Sequence, residues 1–282
     1  MQPRIDLHTH STASDGTLRP AELMRAALEA GVSAIALTDH DTLAGLPEAS
    51  AEADRLGIEL VPGCELSLEY SGLPTHMLAL FVGNSGGAVA GELERVQLAR
   101  SRRNELMLEK LRTVGVHLHM DEVASHADGL VGRPHIAQAM LKAGVVRTFD
   151  EAFGRFLGAG GLAHIPKEKL LPRQAIEAVH ADHGLAILAH PYLLTTRTQH
   201  LEAILRDLKG LGLDGVEVYY TEHSERYTAE VARLADSLGL LKSGGSDFHG
   251  SVKPGVRLGR GRGGLFVPGS ALDAMKAALG RA

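Results

Sequence analysis

Short apolar runs alternate along this chain with longer stretches in which apolar residues recur every three to four positions, the periods of strands and of amphipathic helices. The short runs are Ile5-Asp6-Leu7, Ala34-Ile35-Ala36-Leu37, Glu59-Leu60-Val61 and His76-Met77-Leu78-Ala79-Leu80-Phe81, resuming at Ala186-Ile187-Leu188-Ala189, Gly215-Val216-Glu217-Val218 and Leu240-Leu241-Lys242. This βα rhythm predicts an α/β protein with a parallel sheet of seven strands. Gly31, Gly57, Gly184 and Gly239 close the intervening helices as C-cap glycines.

After the loop Gly83-Asn84-Ser85-Gly86-Gly87 the pattern turns helical from about Glu92 to Leu157. One helix ends at Gly115, another starts with Pro134 at its first position, and a third starts at Thr148 with Glu151 completing a capping box. The expected organisation is an α/β domain over residues 1–90 and 160–282, with a helical insertion over 91–159.

With 44% hydrophobic and 22% charged residues, the chain has the make-up of a globular protein. A net charge of -5 argues against a generally basic surface that grips long nucleic acid, though a local basic patch remains compatible with it. The single cysteine, Cys64, cannot form an internal disulfide. No apolar run reaches about 18 residues and no leader is recognisable, so a cytoplasmic protein without a membrane span is expected.

Polar residues gather where the strands end. His8 and His10 follow the first strand, and their i, i+2 spacing sends both imidazoles to one face. Asp15 lies in the next loop, His40 ends the second strand, Glu65 the third, His190 a later one, and Asp247 and His249 the last. His76 differs in standing at the start of its run. A lone histidine at a strand end is usually solvated, but six histidines and three carboxylates at one station of a repeating fold are hard to explain by packing. C-terminal strand ends are where a parallel α/β barrel gathers its functional side chains. His117, His119, His126, His180, His183 and His200 fall on helices or loops and are assigned to the surface. Cys64 reads as a small packing residue rather than a nucleophile.

The segments Asp6-Leu7-His8-Thr9-His10-Ser11, Leu37-Thr38-Asp39-His40-Asp41, Ala189-His190-Pro191 and Gly245-Ser246-Asp247-Phe248-His249 resemble the four motifs of the polymerase-and-histidinol-phosphatase (PHP) family. The resemblance implies a distorted (β/α)7 barrel with three divalent metal ions. It places one on His8, His10, Glu65 and Asp247, a second on Glu65, His76 and His190, and the third on Asp15, His40 and His249. A shared Glu65 suits cations roughly 3.5 to 4 Å apart. Six imidazoles disfavour an all-Mg2+ site and leave Mn2+, the favoured ion, or Zn2+ or Fe2+. Three dications outweigh the charge of Asp15, Glu65 and Asp247, so the cluster suits a phosphate dianion, with Asp247 orienting the attacking group.

Gly132-Arg133-Pro134-His135 sets Arg133 and His135 at a helix start, where free N–H groups favour an anion. The segment is similar to one in a PHP subgroup that dephosphorylates 3',5'-nucleoside bisphosphates and includes exoribonucleases trimming short RNA from the 5' end. That resemblance implies a nucleotide substrate, with Arg133 and His135 holding a phosphate. Arg100, Arg102 and Arg103 form a second basic group, expected on a solvated helix face. The alternatives are a histidinol-phosphate phosphatase and a non-catalytic, metal-stabilised scaffold.

Overall fold

The computed structural model describes residues 4–83, 86–126, 131–166 and 168–280; Asn84 and Ser85 of the expected loop lie outside them. The strands are β1 Arg4–Asp6, β2 Val32–Leu37, β3 Glu59–Tyr70, β4 Leu73–Leu80, β5 Leu185–Leu188, β6 Gly215–Tyr220 and β7 Leu241–Gly245. The helices are α1 Pro20–Glu29, α2 Leu46–Leu56, α3 Ala88–Thr113, α4 Met120–Ala124, α5 Arg133–Lys142, α6 Phe149–Ala152, α7 Pro172–Ala181, α8 Thr198–Gly210, α9 Glu225–Leu238 and α10 Gly269–Ala278. A π-helical turn, Phe153–Leu157, continues α6.

The strands form a single seven-stranded sheet in chain order. β1, β2 and β3 run parallel, as do β5, β6 and β7, but β4 is antiparallel to both of its neighbours, which corrects the wholly parallel sheet expected. The reason is local. β3 runs on to Tyr70 and β4 begins at Leu73, so Ser71 and Gly72 alone join them, with φ of 50° and 82°. Two linking residues in the left-handed region make a tight hairpin, whereas a parallel crossover needs a dozen residues or more.

β2 shows why the strands read as continuous apolar runs. Ala34 and Ala36 pack with Leu7, Leu78, Leu80 and Ile187, while Ile35 and Leu37 pack with Leu23, Met24 and Ala27 of α1 and Ala49 and Ala53 of α2. Both faces are buried, as in a parallel sheet covered by helices. The segments leaving β1 and β7 run side by side, with Leu7 N–H donating to Gly244 O (3.1 Å), Asp247 N–H to His8 O (2.9 Å) and His10 N–H to Phe248 O (2.9 Å).

Gly31, Gly57 and Gly239 take left-handed backbone after their helices, with φ of 74°, 68° and 61°. Gly184 does not; His183 takes that conformation at φ 56°. Glycine is needed at 184 for space, since a Cβ there would come within 2.7 Å of Leu80 O and would also collide with the Val82 side chain.

The chain divides into two compact units, one of Met1–Leu93 with Leu170–Ala282 and one of Glu94–Lys169. The helical unit has its own core, including Met107, Leu111, Ile136, Met140 and Phe156. Its α5 starts at Arg133, one residue before the expected proline, and Thr148 caps α6 by accepting from Glu151 N–H. The Glu151 side chain accepts from Arg147 N–H rather than from Thr148, so the expected capping box is half formed. The solvated basic face expected of α3 is also corrected. Arg102 is exposed, but Arg103 is only 7% exposed, because it shares the buried stripe of Asn104, Met107, Leu108 and Leu111. Among the described residues no helix is long and apolar enough to cross a membrane.

Candidate metal centre

Strand alternation governs the residues after β1. Thr9 turns towards β2, its hydroxyl donating to Ala36 O (2.6 Å), so His8 and His10 turn the opposite way and are fully buried. His40 forms a backbone bridge to Glu65, which lies within the long β3 and not at its end. The odd placement of His76 follows from strand direction. Because β4 is antiparallel, its beginning lies at the end of the sheet where the parallel strands finish, and His76 pairs across from Ser67 of β3.

The structure brings all nine of these side chains together. Glu65 lies at their centre and divides the imidazoles between its two oxygens. Oε1 lies 2.8 Å from His76 Nδ1 and 2.8 Å from His190 Nε2. Oε2 lies 3.1 Å from His8 Nε2, 3.1 Å from His10 Nε2 and 3.3 Å from His40 Nδ1. Asp247 Oδ1 faces His10 Nε2 at 3.3 Å and His249 Nδ1 at 3.3 Å. On the outer side Asp15, 53% exposed, approaches His249 Nε2 at 3.3 Å and His10 Nδ1 at 3.6 Å.

Three groups have donor atoms within 4.8 Å of one another: His8, His10, Glu65 and Asp247; His40, Glu65 and His76; and His10, Asp15, His40 and His249. The donor chemistry fits divalent cations. Both ring nitrogens of His10 are buried without a hydrogen-bond partner among the described residues, which would be costly unless a cation takes a lone pair. His10 and His249 also stack at 4.0 Å between centroids, and His10 and His40 meet at a tilt at 4.6 Å.

Electrostatics point the same way. Burial would raise Glu65 and Asp247, but the surrounding histidines, His8 first for both, hold each carboxyl far below its ordinary range. Burial would likewise depress His8, yet Glu65, Glu217 and Asp247 raise it well above an ordinary imidazole. His40 is pushed down to about 4 by burial.

Three residues that hold the cluster in place were not found by sequence reasoning: Lys253, and Glu217 and Tyr220 of β6, the strand that contributes no ligand candidate. Glu217 is fully buried and accepts from His8 Nδ1 (3.1 Å) and from His190 N–H (2.7 Å). The bond to Nδ1 aims Nε2 of His8 at Glu65, where a cation taking the place of its proton would find a ligand, the usual arrangement behind a metal-binding histidine. Its signal was present in the sequence: an acid flanked by valines inside an apolar strand must have a partner. Tyr220 donates its hydroxyl to Asp247 Oδ2 (2.9 Å), and Lys253 Nζ bonds the same oxygen, leaving Oδ1 for the cluster. His190 and Asp247 sit in left-handed backbone at φ 26° and 54°, a strain of roughly 1 to 2 kcal/mol each.

A family model for the PHP domain matches residues 6–148, just over half of the chain. The chain belongs to the PHP family. It is 36% identical to a 5'-3' exoribonuclease of Haemophilus influenzae over 88% of this chain and 91% of that protein. It is 30% identical to a 3',5'-nucleoside bisphosphate phosphatase of Chromobacterium violaceum over 90% of each chain. The solved structure of a protein described as a metal-dependent phosphoesterase from Bifidobacterium adolescentis matches with a TM-score of 0.71 and 28% identity, over 98% of this chain and 96% of that one. As a PHP protein with these relatives, the chain is a hydrolase acting on phosphoric esters.

Elsewhere, Cys64 is buried, and burial pushes its thiol well up, as befits packing. His180 is exposed and pairs with Asp214 Oδ2 at 2.8 Å. In the helical unit Gly132 N–H donates to His135 Nδ1 (3.0 Å), so the neutral ring carries its proton on Nε2 as a free donor. The Arg133 guanidinium lies 5.8 Å from the Phe153 ring centroid. Burial, together with Arg133 and Arg100, lowers the pKa of Arg103, whose Nε has no partner among the described residues.

Proposed function

We propose that this PHP enzyme removes the 3'-phosphate from nucleoside 3',5'-bisphosphates, converting adenosine 3',5'-bisphosphate to AMP, and trims short RNA from its 5' end. The observation that carries the hydrolytic part is the division of five imidazoles between the two oxygens of one buried carboxylate, Glu65. That arrangement supports a bridging ligand. His8, His10 and Asp247 would hold one cation with it, His76 and His190 a second, and Asp15, His40 and His249 a third; Mn2+ is the favoured ion. When bound, such cations supply Lewis acidity towards phosphoryl oxygens and make water a stronger nucleophile. Asp247, anchored through Oδ2 by Tyr220, keeps Oδ1 on the cluster side, where it would orient the attacking water. The side-by-side strands leaving β1 and β7 support closure of the sheet into a distorted (β/α)7 barrel.

The nucleotide part rests on the relatives and on the helical unit. Burial, with Arg133 and Arg100 close by, lowers the tendency of Arg103 to hold its charge, and Arg133 and His135 offer donors at the start of α5. We assign Arg133 and His135 to recognition of the phosphate that is not hydrolysed. The test is a comparison of kcat/KM for adenosine 3',5'-bisphosphate, short 5'-phosphorylated RNA and histidinol phosphate with Mn2+-loaded protein. Arg133→Ala is expected to lower the bisphosphate value roughly 30- to 1000-fold, about 2 to 4 kcal/mol, and to leave p-nitrophenyl phosphate nearly unchanged. Preference for histidinol phosphate, or equal losses on both substrates, would refute the assignment.

A further inference from the structure

Residues 248–272 contain four cations, Lys253, Arg257, Arg260 and Arg262, and no acid, in a chain whose net charge is -5. The fold gives this run a defined shape. Val256, Leu258, Gly259 and Gly261 are buried while Arg257, Arg260 and Arg262 are exposed. Arg257 and Gly261 exchange both backbone hydrogen bonds at 2.8 Å, and Gly259 N–H donates to Asp6 Oδ2 at 2.7 Å. Gly261 packs so closely on Thr221 that a Cβ would strike its hydroxyl, which ties the loop to the end of β6. Arg257 and Arg260 form no ion pair among the described residues, Arg262 pairs with Glu222 at 3.1 Å, and Lys253 bonds Asp247 at the edge of the metal centre.

The loop leads into a cavity of about 430 Å³ lined by Tyr219, Thr221, His223, Arg262, Leu265 and Phe266. Phe266 is 41% exposed, so its ring is not consumed by the core. Thr221 Oγ1 and His223 Nε2 are buried and have no partner among the described residues. His223 Nδ1 faces Val218 O at 2.9 Å, so the neutral ring donates there and keeps Nε2 as an acceptor. Burial lowers the pKa of this imidazole, in keeping with the neutral form. Tyr220, which also lines the cavity, donates to Asp247, so a single side chain separates the cavity from the cluster.

We propose that this loop and cavity form a second subsite, which takes the downstream nucleotides of single-stranded RNA: a base in the cavity against Phe266 and Arg262, and backbone phosphates on Arg257 and Arg260. Aromatic faces beside unpaired cations are how unstacked bases and their phosphates are held, and only a single strand offers a free base. A mononucleotide has no phosphate for Arg257 or Arg260. The inference rests on reading the substrate as a nucleotide chain, and its test separates the two.

The experiment compares Arg257→Ala/Arg260→Ala and Phe266→Ala with the wild type, all Mn2+-loaded, on a 5'-phosphorylated RNA pentamer and on adenosine 3',5'-bisphosphate. The ratio of kcat/KM for RNA to that for the bisphosphate should fall roughly 5- to 150-fold in Phe266→Ala. In the arginine double variant the log–log salt dependence of RNA binding should become shallower by about 0.7 for each phosphate that is no longer neutralised. Fluorescence anisotropy with the labelled pentamer covers a chain that binds RNA without cleaving it. Weaker binding by the variants then upholds the subsite while the exonuclease reading falls. A wild type that does not bind the pentamer, variants that bind it as tightly as wild type, or equal losses on both substrates would overturn the proposal.

Discussion

Glu217→Gln tests whether β6 controls metal binding without supplying a ligand. Glu217 accepts two hydrogen bonds, from His190 N–H at 2.7 Å and from His8 Nδ1 at 3.1 Å, and is fully buried. Glutamine keeps the shape but has a single acceptor oxygen. The backbone N–H of His190 cannot change its role, so the amide oxygen must stay there and the NH2 must face His8. Nδ1 can meet a donor only by giving up its proton, and the proton then moves to Nε2, the atom that lies 3.1 Å from Glu65. A protonated Nε2 cannot ligate. Loss of such an outer partner typically weakens metal affinity by about 10- to 100-fold, or roughly 1.4 to 2.8 kcal/mol. Glu217→Ala should be worse for the fold, since it strands two buried donors at about 1 to 3 kcal/mol each. The assay is competition for Mn2+ against a chelator, with circular dichroism to confirm that the glutamine variant is folded. Affinity within twofold of wild type in folded Glu217→Gln would refute the reasoning.

Elemental analysis of protein saturated with Mn2+ should find about three equivalents, and full activity with never more than one would refute the three-cation assignment. Asp247→Asn and His10→Ala should lose more than tenfold in kcat, above about 1.4 kcal/mol in barrier, while the circular dichroism spectrum is retained. His8 and His10 have their pKa raised in the fold despite burial, by Glu65, Glu217 and Asp247 at His8 and by Asp247 and Glu65 at His10. Chelator-treated protein should therefore keep their stabilisation below about pH 6.5 and lose it as pH rises through the raised values, whereas Mn2+ affinity, which requires expelling those protons, should climb over the same range. A flat affinity between about pH 6 and 8 would contradict this. Gly184→Ala should lower stability by about 1 to 3 kcal/mol in a denaturant melt, because its Cβ would meet Leu80 O and the Val82 side chain in a packed interior; an unchanged midpoint would mean the backbone yields there.

The sequence by itself determined what depends on period and local chemistry. Burial on both faces makes β2 a continuous apolar run, and strand alternation sends His8 and His10 to one side, so both could be read from a few adjacent residues. The family resemblance was legible for the same reason, since its motifs are short segments at strand ends. Only the tertiary structure decided the direction of β4. The hairpin at Ser71 and Gly72 sits inside a stretch of mixed polarity, from Ser67 to Thr75, that conceals the end of one strand and the start of the next. That direction in turn explains why His76 reaches the cluster from the beginning of its strand. Glu217 could be read as an acid in need of a partner, but what it and Tyr220 hold became visible only when β6 was placed between β5 and β7, because His8 and Asp247 lie 209 and 27 residues away. Arg103 teaches the same lesson in the helical unit: helical period places it on a stripe, but only packing shows that the stripe is the buried one. Periodicity is a property of neighbours along the chain, whereas the partner that makes a buried charge tolerable is a property of neighbours in space.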